Sequence, residues 1–94
     1  MKRKEYTFQN HLRKSLKNPK FRKIWEDSEP QRKLSQMLIE KRIAKKMSQR
    51  ALASKANTTQ AVIARIEGMS ANPSINLLKR IASAFGSSLR VVFE

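Results

Sequence analysis

Four residues that could make specific polar and apolar contacts with a ligand lie on one side of a helix predicted to start near Gln60. At 100° per residue, the side of this helix that faces away from Ile63 and Ile66 carries Gln60, Ala61, Ala64 and Arg65. A glutamine can pair bidentately with N6 and N7 of adenine, an arginine with O6 and N7 of guanine, and an alanine can touch a thymine methyl group. We therefore expect these four residues to read bases in the major groove of double-stranded DNA.

A solvated helix face that binds nothing is the competing interpretation of this segment. Such a face normally carries Glu and Lys, whereas residues 60–64 carry no charge. The two alanines would also let the helix approach a groove closely. The pattern therefore favours a DNA-reading face over a solvated one.

Further residues are predicted to contact the DNA backbone rather than the bases. Gln49 and Thr59 lie at predicted helix N-termini, where free backbone N–H groups and the helix dipole favour phosphate. Contacts of this kind fix the register of a protein on the duplex without reading its sequence. For Gln49, a plain surface role is the alternative. The whole predicted backbone set is Lys46, Gln49, Arg50 and Thr59.

One carboxylate is expected to have a structural role. Glu67 is the only acidic residue between Glu40 and Glu94. Arg42 is its expected partner, and the pair would tie the helix that contains Gln60 to an earlier one. Breaking one half of such a buried pair costs about 3–5 kcal/mol, because the other charge is left unpaired.

The charge balance indicates a polyanionic partner. The chain has 94 residues, with 21 Lys+Arg against 7 Asp+Glu and a formal net charge of +14. Such a field attracts nucleic acid, although a basic protein that is merely soluble is the alternative. No apolar run approaches the roughly 18 residues of a membrane span. We expect a cytoplasmic protein with no membrane partner.

The residue types needed for catalysis or metal binding are not grouped. The chain has no cysteine and one histidine, His11, and its acidic residues are too scattered for paired-carboxylate chemistry. Its two glycines, Gly68 and Gly86, form no phosphate-binding loop. We therefore expect neither an enzyme nor a metal, cofactor or small-molecule substrate.

Apolar spacing and capping residues predict the helices that position these side chains. Two short helices are expected within residues 8–28, separated at Asn18-Pro19. Four more are expected at 30–45, at 49–56 after an N-cap at Ser48, from the N-cap Thr59 to a C-cap at Gly68, and from the N-cap Ser74 to Gly86. Asn57 is the expected left-handed turn residue. The predicted apolar positions are Leu34, Met37, Leu38, Ile39, Ile43, Leu52, Ile63, Ile66, Leu77, Leu78, Ile81 and Phe85.

In the last residues of the sequence, the spacing of apolar side chains changes from the helical period to alternation. Leu89, Val91 and Phe93 alternate with Arg90, Val92 and Glu94, which is typical of a β-strand. A single strand cannot satisfy its own backbone groups, and the chain offers no second strand. We therefore expect residues 88–94 to pair with a second copy and form a homodimer. The predicted organisation is a helical extension at 1–29, a DNA-binding domain at 30–87 and a dimerisation strand at 88–94.

The central segment resembles the Xre-type helix-turn-helix of phage repressors and Cro. The resemblance covers about residues 31–86 and rests on MSQRALASKANTTQAVIARIEG followed by NPSINLLKRIASAFG. It implies a mostly α fold, a recognition helix that starts at Gln60 and a structural Arg42–Glu67 pair. The chain departs from the family pattern at Asn57 and Lys46, where glycine is usual.

The extension and tail together resemble HigA-type antitoxins. This resemblance implies a dimer that represses its own operon and neutralises a RelE-like, HigB-type mRNA-cleaving toxin. Trp25 is the best anchor for such a partner, since a buried Trp dominates many interfaces. The candidate toxin-binding residues are Phe21, Ile24, Trp25, Glu26, Asp27 and Glu29. The alternatives are a stand-alone phage-type Xre repressor without a toxin, and a protein-interaction module that does not bind DNA.

Overall fold

Six α-helices make up the regular structure of residues 8–94, the part of the chain that the computed structural model describes. They are α1 (Phe8–Ser15), α2 (Pro19–Asp27), α3 (Glu29–Ala44), α4 (Gln49–Lys55), α5 (Gln60–Glu67) and α6 (Ile75–Ala84). The chain divides after Pro30 into two compact units. None of the described helices is long and apolar enough to cross a membrane.

The first unit contains α1 and α2, as predicted. Asn18 caps α2, because its side chain accepts a hydrogen bond of 2.9 Å from the Lys20 backbone N–H, and Pro19 occupies the first helical position. The rings of Phe21 and Trp25 stack with their centroids 6.4 Å apart. Neither helix contributes a fully buried residue. Residues 1–7 of the predicted extension lie outside the described residues.

The second unit holds the hydrophobic core. Leu52 and Ile63 are completely buried at its centre. The other buried apolar residues come from α3 to α6 and the turns between them: Leu38, Ala53, Ala56, Ile66, Ile81 and Phe85. Leu34 and Leu77 are partly buried against this cluster, as the apolar pattern predicted.

Four predicted apolar positions lie outside the core. Met37 and Ile43 are 54% and 63% exposed, so they are not part of the buried stripe of α3. Ile39 and Leu78 are half-buried and belong neither to the core cluster nor to the side chains packed against it, whereas Ile81 and Phe85 fill the interior side of α6. Ile43 lies five residues after Leu38, about 140° around α3 from it, so the two side chains cannot share one buried side.

The helices of this unit begin at the predicted caps. The side chains of Ser48, Thr59 and Ser74 each accept a hydrogen bond from the backbone N–H three residues later, at 2.9, 3.2 and 3.0 Å. These bonds satisfy N–H groups that have no partner within the helix. The starts of α4, α5 and α6 are therefore determined locally.

Each helix from α3 to α6 is followed by a residue in the left-handed conformation, and most of these residues are not glycine. Lys46, Asn57 and Met69 have φ values of 55°, 56° and 63°, and Gly86 has 74°. The predicted left-handed turn at Asn57 is confirmed. Gly68 does occupy the C-cap position of α5, but its φ is −87° and the next residue, Met69, takes the left-handed conformation.

The tail after α6 contains no strand, and no strand occurs elsewhere in residues 8–94. Leu89 is half-buried, whereas Val91, Val92 and Phe93 are 63%, 67% and 96% exposed. A strand here would need a pairing partner that a single chain does not supply. The C-terminal strand therefore stays a prediction.

Candidate nucleic-acid interface

Helix α5 presents a small, weakly charged surface to solvent. Ile63 and Ile66 point into the core and are 0% and 2% exposed. The opposite side carries Gln60, Ala61, Ala64 and Arg65, all of which are exposed. We refer to these four residues as the α5 face. The structure thus brings the predicted base-reading residues together, and their contact with bases stays a prediction.

The C-terminal end of α5 is held by an ion pair. Arg42 on α3 donates to the Glu67 carboxylate from Nε at 2.7 Å and from Nη2 at 3.3 Å. The two side chains are 17% and 7% exposed, so the pair is largely shielded from water. Arg42 also donates from Nη1 to the Met47 carbonyl at 2.9 Å, which fastens the turn between α3 and α4. A single guanidinium therefore links α3, the start of α4 and α5.

Gln49 has a role that sequence reasoning did not predict. Its Nε2 donates to Glu67 Oε1 at 2.9 Å, so the amide belongs to the same buried network. The side chain is half-buried, and Gln49 is the first residue of α4. An amide nitrogen has two hydrogens, so a phosphate contact through the second one stays a prediction.

Ser35 is a second contact that the sequence did not reveal. It is the buried polar residue of α3, and its Oγ donates to the Glu67 carbonyl at 2.5 Å. The carbonyl belongs to the last turn of α5, where no intrahelical donor is available. The position of Ser35 on the same helix side as Leu38 was the only signal that it faces the interior.

The other end of α5 is approached by Arg80, which sequence reasoning also missed. Its Nη1 donates to the Ala56 carbonyl at 3.2 Å and to the Asn57 carbonyl at 2.6 Å. Arg80 lies on α6, more than twenty residues away from this turn. The turn before α5 is thereby attached to α6.

The predicted backbone-contacting residues cluster around the starts of α4 and α5. Lys46, Arg50 and Thr59 are exposed, and Thr59 uses its hydroxyl to cap α5. Glu67, the sole acid between residues 40 and 94, is neutralised by Arg42. The exposed charges along residues 41–93 are therefore all positive: Lys41, Lys45, Lys46, Arg50, Lys55, Arg65, Lys79 and Arg90. This distribution suits a phosphate backbone.

The candidate partner residues of the first unit differ in exposure. Ile24 is 67% exposed, while Phe21 and Trp25 are half-buried. The three carboxylates that follow, Glu26, Asp27 and Glu29, are on the surface. The described residues contain no group of three or more His, Cys, Asp or Glu side chains that could hold a metal ion.

These observations define the class of protein. Two short helices joined by a tight turn, the second with a small exposed face, form a helix-turn-helix, which places its second helix in the DNA major groove. A family model described as Helix-turn-helix (HTH_3) matches residues 38–92, and the chain belongs to this family. Membership indicates a sequence-specific regulator that binds double-stranded DNA. Comparisons with curated proteins and with solved structures gave no match.

The family match covers α4 and α5 completely and extends into the tail. It therefore confirms the predicted Xre-type domain at the level of the fold. The more specific resemblance to HigA-type antitoxins stays a prediction.

Proposed function

We propose that the protein is a transcriptional repressor that binds a DNA operator as a homodimer, with the α5 face reading bases. The observation that carries this proposal is the α5 face itself, which is exposed and fixed at both ends by polar contacts from other helices. Its chemistry suits binding rather than catalysis. The surrounding cations would hold the duplex without reading its sequence.

Gln60 should be the residue whose loss most changes sequence preference. Gln60→Ala should weaken specific binding by about 1–3 kcal/mol, because a bidentate contact to one base is lost. The measurement is a gel-shift titration with a duplex that the wild-type protein has first enriched from a random-sequence DNA library. Gln31→Ala, the same change at an exposed position of α3, is the matched control and should leave binding unaltered.

Arg50→Ala provides the contrast for Gln60→Ala. It should weaken binding to all duplexes alike. It should also reduce the slope of the logarithm of the binding constant against the logarithm of the salt concentration by about 1. Lys46 is less suitable for alanine substitution because its φ is 55°, a conformation that alanine also disfavours. Equal binding of the enriched duplex by wild type and Gln60→Ala would show that another face meets the bases.

The homodimer is proposed to form through the tail. Val91 and Phe93 are exposed, and the tail lines an open groove of about 450 Å³ together with Ile75 and Lys79 of α6. Apolar side chains in this arrangement lose contact with water when a second copy covers them. A two-stranded antiparallel pairing of residues 88–94 would also satisfy their backbone groups.

We further propose that the repressor is the antitoxin of a toxin–antitoxin pair, with the first unit holding a RelE/HigB-like toxin. The supporting observation is the exposed side chain of Ile24 close in sequence to three surface carboxylates, Glu26, Asp27 and Glu29. Phe21, Ile24 and Trp25 lie at helical spacing on α2, and contiguous exposed apolar patches mark partner sites. The carboxylates could pair with basic residues of a ribonuclease.

Deleting residues 1–25 should abolish toxin binding and leave operator binding unchanged. The measurement is co-purification with a basic RelE-like protein encoded by a neighbouring gene, alongside the gel-shift titration. Ile24→Ala should weaken the toxin complex, and Ile43→Ala, at a similarly exposed isoleucine of the second unit, is its control. If the deleted protein retained the toxin at full affinity, the toxin site would lie on the helix-turn-helix domain itself and the assignment would fail.

A further inference from the structure

We propose that Arg80 is a positioning residue for DNA recognition. It sets the direction of α5 by holding the turn between α4 and α5. The inference rests on the proposed contact of the α5 face with DNA. Arg80 itself need not touch the duplex. Its two hydrogen bonds end on the backbone of the turn, two and three residues before Thr59, the N-cap of α5.

The hydrogen bonds at the end of α4 show what Arg80 adds. The Thr58 N–H donates to the Ala53 carbonyl at 2.9 Å, and the Asn57 N–H donates to the Ser54 carbonyl at 3.2 Å. This pair of bonds is a Schellman motif, and it satisfies the carbonyls of Ala53 and Ser54 in the last turn of the helix. The carbonyls of Ala56 and Asn57 come after that turn, and both accept from Arg80.

The turn needs support because its central residue is strained. Asn57 has a φ of 56°, a conformation that glycine adopts without cost and that asparagine adopts at some cost. Without further contacts, this cost would favour turn conformations in which α5 starts in another direction. The bonds from Arg80 are made to a backbone in the left-handed turn, so they favour that conformation over the alternatives.

The placement of the guanidinium agrees with a positioning role. Its Nε is buried and has no hydrogen-bond partner among the described residues. A buried unpaired N–H is unfavourable, and the two charge-assisted bonds from Nη1 to the turn offset that cost. Nη1 of the side chain is therefore occupied by the turn.

Without Arg80, a smaller fraction of molecules would hold α5 in the binding direction, and the apparent affinity falls in proportion to that fraction. Arg80→Met should weaken binding of the enriched duplex by about 10- to 100-fold, which corresponds to losing a hydrogen bond from a charged donor. Non-specific binding to random duplex should change little. The salt slope should stay that of the wild type, since no phosphate contact is removed.

The decisive test is a double-mutant cycle with Asn57→Gly. Glycine removes the strain that Arg80 offsets, so Asn57→Gly should restore at least half of the logarithmic affinity loss of Arg80→Met. In the wild-type background it should change affinity less than about threefold, because the turn is already held. Lys41→Met, which removes an exposed cation of α3, is the charge control, and its effect on affinity should not change when Asn57→Gly is added.

All titrations are made at a temperature at which circular dichroism shows the variants fully folded. If Arg80→Met does not fold, Arg80→Lys replaces it in the cycle, because the ammonium keeps the charge and can donate to one carbonyl. Additive effects of the two substitutions, or a salt slope lowered by about 1, would overturn the positioning role. If neither Arg80→Met nor Gln60→Ala weakens binding, the proposed function of the α5 face has failed. If Gln60→Ala weakens binding but Arg80→Met binds like the wild type, only the role of Arg80 is refuted.

Discussion

Arg42→Met is expected to lower the free energy of unfolding by about 3–5 kcal/mol, because it leaves the Glu67 carboxylate buried and without its cation. Glu67 is only 7% exposed, so water cannot replace the lost partner. The Met47 carbonyl loses its donor in the same variant. Since domains are stable by about 5–15 kcal/mol in total, operator binding should fail near physiological temperature. Urea unfolding followed by circular dichroism gives the measurement.

Lys41→Met is the matched control for this change, because it removes an exposed cation from the neighbouring position of α3. It should alter stability by less than about 0.5 kcal/mol. The double variant Arg42→Met, Glu67→Met should recover much of the loss, since apolar side chains of similar volume often replace a buried pair without cost. An unfolding free energy for Arg42→Met within about 1 kcal/mol of wild type would mean that the pair is effectively solvated.

Removing residues 88–94 is expected to convert a dimer into a monomer and to weaken operator binding by about 100-fold or more. Two half-sites bound by one dimer gain a large effective concentration for the second contact, about 10²- to 10⁴-fold in avidity. The recognition helices of such a dimer should stand about 34 Å apart, or a multiple of that. Analytical ultracentrifugation and the cooperativity of the gel-shift titration measure the two effects.

The alternation of the tail supplies a matched pair of point variants. Val91 and Val92 are 63% and 67% exposed, so their starting environments are alike. The predicted pairing uses the face with Leu89, Val91 and Phe93, so Val91→Ser should weaken the dimer more than Val92→Ser does. A dimer that survives the deletion would place the interface elsewhere on the domain.

The features predicted correctly from the sequence depend on residues close together along the chain. The N-caps Ser48, Thr59 and Ser74 each bond to an N–H three residues away, and Asn57 takes the expected left-handed turn. Helical periodicity likewise places Ile63 and Ile66 inside and the α5 face outside. Local hydrogen bonds and side-chain periodicity determine these features, so their signals are present in short segments.

The Arg42–Glu67 pair is the exception, a contact across 25 positions that the sequence still predicted. It was foreseeable because Glu67 is a lone acid among many cations, and the family resemblance supported the same partner. A rare residue type restricts the choice of partners. Common residue types such as serine and arginine give no such restriction.

The contacts that only the tertiary structure decided are those between distant helices. Ser35 donates to the Glu67 carbonyl, and Arg80 donates to the turn at Asn57. Neither residue lies in a local sequence motif from which its acceptor could be predicted. Met37 lies at helical spacing from Leu34 but stays exposed. The crossing of the helices determines which side chains meet, because that geometry depends on packing the whole core and not on the spacing within any one helix.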